Sequence, residues 1–152
     1  MSTKIVNITG FSIGNEQFVA KTESYNVLIG TNENEPELNA PSPIEYILAG
    51  YAGCINAVGT LVAQKLNLNL RSLQVAISGE INVDRFLGKP TNDRAGFKVI
   101  VVTINPGIEA TEEQLKKWLS LVESRCPVYD NLSNATQIEV NLITENLAEV
   151  NA

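Results

Sequence analysis

Residues 42–66 read SPIEYILAGYAGCINAVGTLVAQKL, and this stretch decides the fold. Ser42 is a ready N-cap and Pro43 suits the first helical position, where its missing N–H costs nothing. No charge falls between Glu45 and Lys65, so the segment 43–66 predicts a helix of about 24 residues and roughly 36 Å. A helix of that composition must be buried on most sides. Its glycines, Gly50, Gly53 and Gly59, each cost about 1 kcal/mol of helix propensity against alanine, which calls for close approach by another backbone or a ligand. Tight packing is the plain reading.

Outward toward the N-terminus, apolar and polar residues alternate over 4–13 and 17–29, with Gly14-Asn15 between them as a turn signal. This predicts an antiparallel hairpin with room for a third short strand. Residues 30–42 (GTNENEPELNAPS) are polar, acidic and carry two prolines, so they form a loop feeding the helix. Toward the C-terminus, 70–83 and 97–105 read as strands, the second strongly β-branched, joined by the polar loop 84–96 (DRFLGKPTNDRAG). After Pro106-Gly107, Thr111 and Gln114 form a capping-box pattern, and Leu115, Trp118, Leu119 and Val122 make the apolar stripe of a second helix. Cys126-Pro127 interrupts it, 127–132 starts another short helical turn, and 136–143 (TQIEVNLI) alternates as a last strand.

This order gives one α+β domain over residues 1–152, with an N-terminal hairpin region (1–40), a central helix (43–66) and a ββαβ part (70–144). The central helix is apolar on nearly all faces and has more surface than so few strands can cover, so the chain is expected to form a homodimer.

Composition narrows the chemistry. The 152 residues are 44% hydrophobic and 18% charged, as in an ordinary globular domain, and include no histidine. Imidazole metal sites, Ser-His-Asp and Cys-His nucleophiles and histidine bases are therefore excluded. A formal charge of -6 argues against nucleic acid as a partner. The start MSTKIVNITG has no signal-peptide run, and no window approaches the roughly 18 apolar residues that span a bilayer. The expected location is cytoplasmic, without a membrane partner.

What remains is thiol, carboxylate, Lys, Arg and Tyr chemistry. Cys54, mid-way along the central helix, reads by composition as a small apolar core residue. Cys126 precedes a proline where a new helical turn begins, so its sulfur can face backbone N–H groups that lower a thiol pKa; a structural role fits it as well. Standing 72 positions apart, the pair is no CxxC motif and no tetrahedral metal site. Two thiols converging in space would make a peroxide- or disulfide-cycling pair.

The run APSPIEYILAGYAGCINAVGTLVAQKLNL, then LQVAISGEINVD, a glycine-bearing loop into GFKVIVVTI, and ESRCPVYDNLSNATQIEVNL together resemble the OsmC/Ohr family of bacterial thiol proteins. The marks are a proline opening a near-apolar helix with cysteine eleven residues on (Pro43 to Cys54), and Cys-Pro-Val at 126–128 after an amphipathic helix. The resemblance implies an intertwined homodimer with a six-stranded antiparallel-type sheet around two central helices and active sites at the subunit interface. It also implies reduction of organic hydroperoxides: Cys54 as the peroxidatic thiol, Cys126 as the resolving one, and an external dithiol such as a lipoyl protein as reductant. No metal or bound cofactor is required.

Peroxidase members hold the thiolate with an arginine from the N-terminal strands, itself held by a glutamate on the first turn of the cysteine helix. Here the first arginine is Arg71, and the N-terminal strands carry only Lys4 and Lys21. Ile44 occupies the glutamate position, and Glu45, the nearest candidate, is rotated about 100° around the helix. Arg85, Arg94 and Arg125 are the substitute cations, and Tyr51, one turn before Cys54, is a candidate substrate-binding or sulfur-facing residue. The alternative on the same fold is a redox-sensing or small-ligand-binding dimer that lacks the activating pair.

Overall fold

The computed structural model describes residues 2–14 and 16–145. Strands β1 (Thr9–Ile13), β2 (Gln17–Lys21) and β3 (Asn26–Ile29) form an antiparallel sheet in the order β1-β2-β3. Gly14, at φ 58°, turns the chain out of β1 in the left-handed region that a glycine enters without strain. A 3-10 turn, Pro36–Leu38, breaks the following loop, and Gln17 anchors that loop by donating to the carbonyls of Gly30 (3.2 Å) and Leu38 (2.8 Å).

Helix α1 (Pro43–Lys65) begins where the sequence predicts, with a closed capping box. The Ser42 N–H donates to Glu45 Oε2 at 2.8 Å, and the Glu45 N–H donates back to Ser42 Oγ at 3.3 Å. The helix ends at Leu66, followed by Asn67 at φ 54°, with the Leu68 N–H donating to the carbonyl of Ala63. Its buried stripe is Tyr51, Ile55, Gly59, Val62 and Ala63. Of the three helix glycines only Gly59 meets a neighbour: the Trp118 ring lies where a Cβ would stand, and Trp118 Nε1 donates to the Gly59 carbonyl at 2.9 Å. Gly50 and Gly53 face open space, so the close approach expected at them is absent among the described residues.

Strands β4 (Leu70–Ile81) and β5 (Phe97–Ile108) form a separate antiparallel hairpin, with Val75 opposite Ile104 and Ile77 opposite Val102. β5 outruns its expected end at Asn105. Pro106 pairs with Leu73 beside a register shift, where the ladder is already broken and the missing proline N–H costs least. Helix α2 (Glu112–Arg125) carries the expected Thr111–Gln114 capping box, and α3 (Pro127–Ser133) follows at once. Trp118 and Val122 of α2 pack onto α1 and the inner face of β4–β5, completing the core.

Two expectations need correction. The described residues hold five strands in two sheets, not one six-stranded sheet. The expected last strand, 136–143, keeps its alternation but belongs to no sheet, and Ile138, Val140 and Leu142 are 80%, 86% and 94% exposed. A strand needs a hydrogen-bonded neighbour, and the described residues offer none there. In addition, the region Pro36–Lys65 is long and apolar enough to cross a membrane by length and composition, contrary to the reading that no window comes near. Its charge is confined to the helix ends and its glycines and alanines keep it apolar, while one face packs as a core helix.

Candidate active site

The site arises where α1 crosses the break between α2 and α3. Cys126 is at once the last cap of α2 and the first cap of α3, because Pro127 cannot continue the preceding helix but suits the first position of a new one. That places its sulfur inward, 2% exposed, where it accepts the Tyr129 N–H at 3.4 Å. Cys54 comes from the middle of α1, half-buried, and the two sulfurs stand 2.9 Å apart as free thiols, Cys126 donating. The convergence of the only two cysteines is thus a property of the helix crossing, invisible in their spacing.

Burial is the largest influence on Cys126 and pushes its thiol up; the hydrogen bond to Cys54 adds to this. The Tyr129 and Val128 N–H groups oppose the shift and lose. The lowering expected from a helix start is therefore present but outweighed by desolvation. No cation stands among these leading influences, so Cys126 is held as the protonated, donating member of the pair.

Tyr51 is buried one turn from Cys54, its ring 6.3 Å from that of Tyr129 and tilted by 30°. Burial raises its hydroxyl pKa, and the neighbouring Cys126 raises it further. A cavity of about 170 Å³ lies against Cys126, walled by Tyr51, Ile55, Ile104, Val122 and Tyr129. Glu123 also contributes to that wall. Tyr51, Val102 and Tyr129 are shared with a larger cleft of about 420 Å³ that extends toward Arg94 and Lys98. Tyr129 was not singled out from sequence; its position three residues after a capping cysteine was the available signal.

The remaining candidates lie apart. Glu45 is occupied at the start of α1 by both the N–H and the hydroxyl of Ser42, and these bonds lower its pKa. It stands nine residues before Cys54, about 13 Å along the helix axis. Arg71 pairs with Glu109, and Arg85 donates to the carbonyls of Asp93 and Thr91. Arg125 is exposed at the end of α2, and Lys21 lies over the Phe11 ring at 5.2 Å. Lys4 belongs to the unpaired segment before β1. Among the described residues no group of three potential ligands could hold a metal ion.

Known proteins agree with this architecture. A family model described as OsmC-like protein matches residues 32–141. A hydroperoxide reductase of Mycoplasma pneumoniae is 23% identical over 100 residues, covering 66% of this chain and 67% of that protein. The crystal structure of an OsmC-like protein from Mycoplasma pneumoniae superposes with a TM-score of 0.76 at 19% identity, over 92% of this chain and 95% of the other. An organic hydroperoxide resistance protein OsmC from Legionella pneumophila gives a TM-score of 0.61 at 13% identity, over 87% and 91%.

Proposed function

The chain belongs to the OsmC-like protein family, and from that premise we propose that it is a thiol-dependent peroxidase reducing organic hydroperoxides through Cys54 and Cys126. The observation that carries the reading is the 2.9 Å approach of the two sulfurs beside an apolar cavity. The Cys54 thiolate attacks the terminal peroxide oxygen, the O–O bond breaks, and an alkoxide leaves and is protonated to the alcohol. Cys54 is then a sulfenic acid. The Cys126 thiol displaces its hydroxyl, releasing water and forming a disulfide. An external dithiol, such as a lipoyl protein, reduces the disulfide and is itself oxidised. No metal or organic cofactor enters, and Tyr51 walls the path of the substrate.

The division of roles follows from protonation. A thiol held protonated by burial is a poor first nucleophile but a good hydrogen-bond donor to a neighbouring thiolate. Cys126 fits the resolving role, which leaves attack to Cys54. The working unit is proposed to be a cytoplasmic homodimer, without nucleic acid or membrane as partner. The unpaired segment 136–143 and the open face of α1 at Gly50 and Gly53 are the surfaces a second copy would cover.

The test is dithiol-dependent consumption of tert-butyl hydroperoxide. Wild type should turn over, Cys54→Ser should be inactive, and Cys126→Ser should complete one reduction and stall as the sulfenic acid; full turnover by Cys54→Ser overturns the proposal. A second reading, a redox-sensing or ligand-binding dimer, is favoured by the absence of a cation among the leading influences on Cys126. The pH dependence of Cys54 alkylation in wild type and Cys126→Ser separates the two: a thiol pKa near or below neutral fits the peroxidase, an ordinary one the sensor.

A further inference from the structure

The two sulfurs are close to each other but meet solvent very differently. Cys126 is 2% exposed and belongs to the packed core with Tyr51, Ile55, Trp118 and Val122. A second copy laid against the chain can only deepen that burial. Cys54 is half-buried, on the stretch of α1 whose glycines have no packing partner: a Cβ at Gly50, one turn earlier on the same face, or at neighbouring Gly53 meets nothing within 4 Å. The side chains missing there leave the approach to the Cys54 sulfur unblocked by its own helix. Gly50 and Gly53 thereby gain a use that packing does not supply. Peroxide must reach Cys54 in the working protein, so this path survives assembly.

Thiol–disulfide exchange is an in-line displacement, in which a thiolate approaches one sulfur from the side opposite the other, and access decides which sulfur is attacked. Cys126 offers no open side. Leaving-group strength alone disfavours expelling it, because a thiol leaves more slowly as its pKa rises and burial pushes Cys126 up. Access overrides this, since a sulfur that cannot be reached has no rate to compare. Charge that appears on Cys126 is also offset on the spot: the N–H groups of Val128 and Tyr129 point at its sulfur, the latter at 3.4 Å.

Resting on the peroxidase reading, we infer that the external dithiol opens the Cys54–Cys126 disulfide at Cys54, which makes Cys54 the attachment point of the reductant as well as of the peroxide oxygen. One thiolate of the dithiol bonds to the Cys54 sulfur, the bond between the two cysteines breaks, and its electron pair goes to Cys126, which takes up a proton released by the dithiol. The second thiolate attacks the reductant's own sulfur in this mixed disulfide, closing the reductant's disulfide and expelling Cys54. Two electrons have then passed from dithiol to protein. Each cysteine returns to the state the next peroxide needs: Cys126 protonated and donating, Cys54 released as the thiolate.

The test uses the intact chain and 2-mercaptoethanol, a monothiol that forms the mixed disulfide but cannot close a ring on itself. The disulfide is made with one equivalent of tert-butyl hydroperoxide or, in a parallel sample, with diamide. After brief exposure to 2-mercaptoethanol the samples are quenched in acid, and free thiols are alkylated with N-ethylmaleimide in urea. Trypsin places the two cysteines on separate peptides, 22–65 and 126–152. Mercaptoethanol on 22–65 with maleimide on 126–152 should exceed the reverse pattern by at least about tenfold. The reverse pattern, or the two in comparable amounts, overturns the inference. As a second readout, Cys54 in Cys126→Ser should react with dithiobis(nitrobenzoate) at least about tenfold faster than Cys126 in Cys54→Ser, with the difference lost in urea. Equal rates in the folded proteins overturn the difference in access.

The two oxidants separate this from the parent reading. If diamide links the cysteines and tert-butyl hydroperoxide does not, while mercaptoethanol still appears on 22–65, the attachment point stands and the peroxidase reading falls. A disulfide made by the hydroperoxide but opened at Cys126 leaves the peroxidase and removes the inference. A chain that neither oxidant links has no disulfide to open, and removes both.

Discussion

The two sheets of this chain are built from similar alternating sequences, yet only one has a core. β4–β5 lays Val75, Ile77, Val102 and Ile104 against α1 and α2, where Ile55, Val62, Trp118 and Val122 are buried. The β1–β3 sheet buries only Ala20 and Gln17, and leaves Phe11, Ile13 and Phe18 exposed. Its ties to the rest of the chain are polar and few. Tyr46 donates its hydroxyl to the Leu28 carbonyl at 2.7 Å, and Gly30 exchanges backbone bonds with Ala40 and Pro41. Hydrogen bonds of this kind set a position; they contribute about 1 kcal/mol each and do not replace a buried face. An apolar sheet without a covering layer and the unpaired alternation of 136–143 are the two surfaces that the proposed second copy would cover.

The contrast can be broken most directly at Trp118. Trp118→Ala removes a buried indole and its bond to Gly59, and should cost about 3–5 kcal/mol in denaturant unfolding followed by circular dichroism. A loss below about 1 kcal/mol would mean that the core is not where the burial places it. Next comes Val140→Asp, which puts a charge on the unpaired segment 136–143. If a second copy covers it, sedimentation equilibrium should show association weakened by about 1.5–3 kcal/mol, with the unfolding of the α1–α2 body unchanged. Unchanged self-association would take 136–143 out of the interface.

A third, smaller effect is alkaline. Cys126 and Tyr51 have raised pKa values, so the folded chain keeps protons that the unfolded chain releases. The resulting stability is complete below the unfolded thiol pKa of about 8.5 and is lost as pH rises through the folded value. The urea midpoint should fall from about pH 8.5 upward in wild type and fall less in Cys126→Ala. A wild-type midpoint flat to pH 10 contradicts the burial of that thiol. Smallest is Ser42→Ala, which opens the capping box of α1 and should cost about 1 kcal/mol by the same denaturation.

What was legible from sequence follows the same divide. Ser42, Pro43 and the charge-free run to Lys65 specify α1 locally, so the helix appears where expected. Thr111 with Gln114 does the same for α2, and Pro127 for the break. Residues 136–143 have the alternation of a strand, but pairing is a relation between two segments, and no described segment pairs with them. The glycines divide for a similar reason: only Gly59 meets Trp118, whereas Gly50 and Gly53 look outward. In the site, the identities of Cys54 and Cys126 were legible. The burial that raises Cys126, the Tyr51–Tyr129 pair and the place of Arg94 depend on helix crossings and loop path, which no local signal encodes.

The chain has a single tryptophan, and it is Trp118, which α2, the helix capped by Cys126, seals against α1. Its emission therefore reports the α1–α2 body alone. Unfolding of that body shifts the indole from an apolar to an aqueous surrounding and moves the spectrum to the red, while detachment of the β1–β3 sheet passes unseen. An intrinsic fluorophore on one side of the divide lets the two halves be followed as separate optical events, with Tyr25, exposed in the turn just before β3, free to take a label for the other.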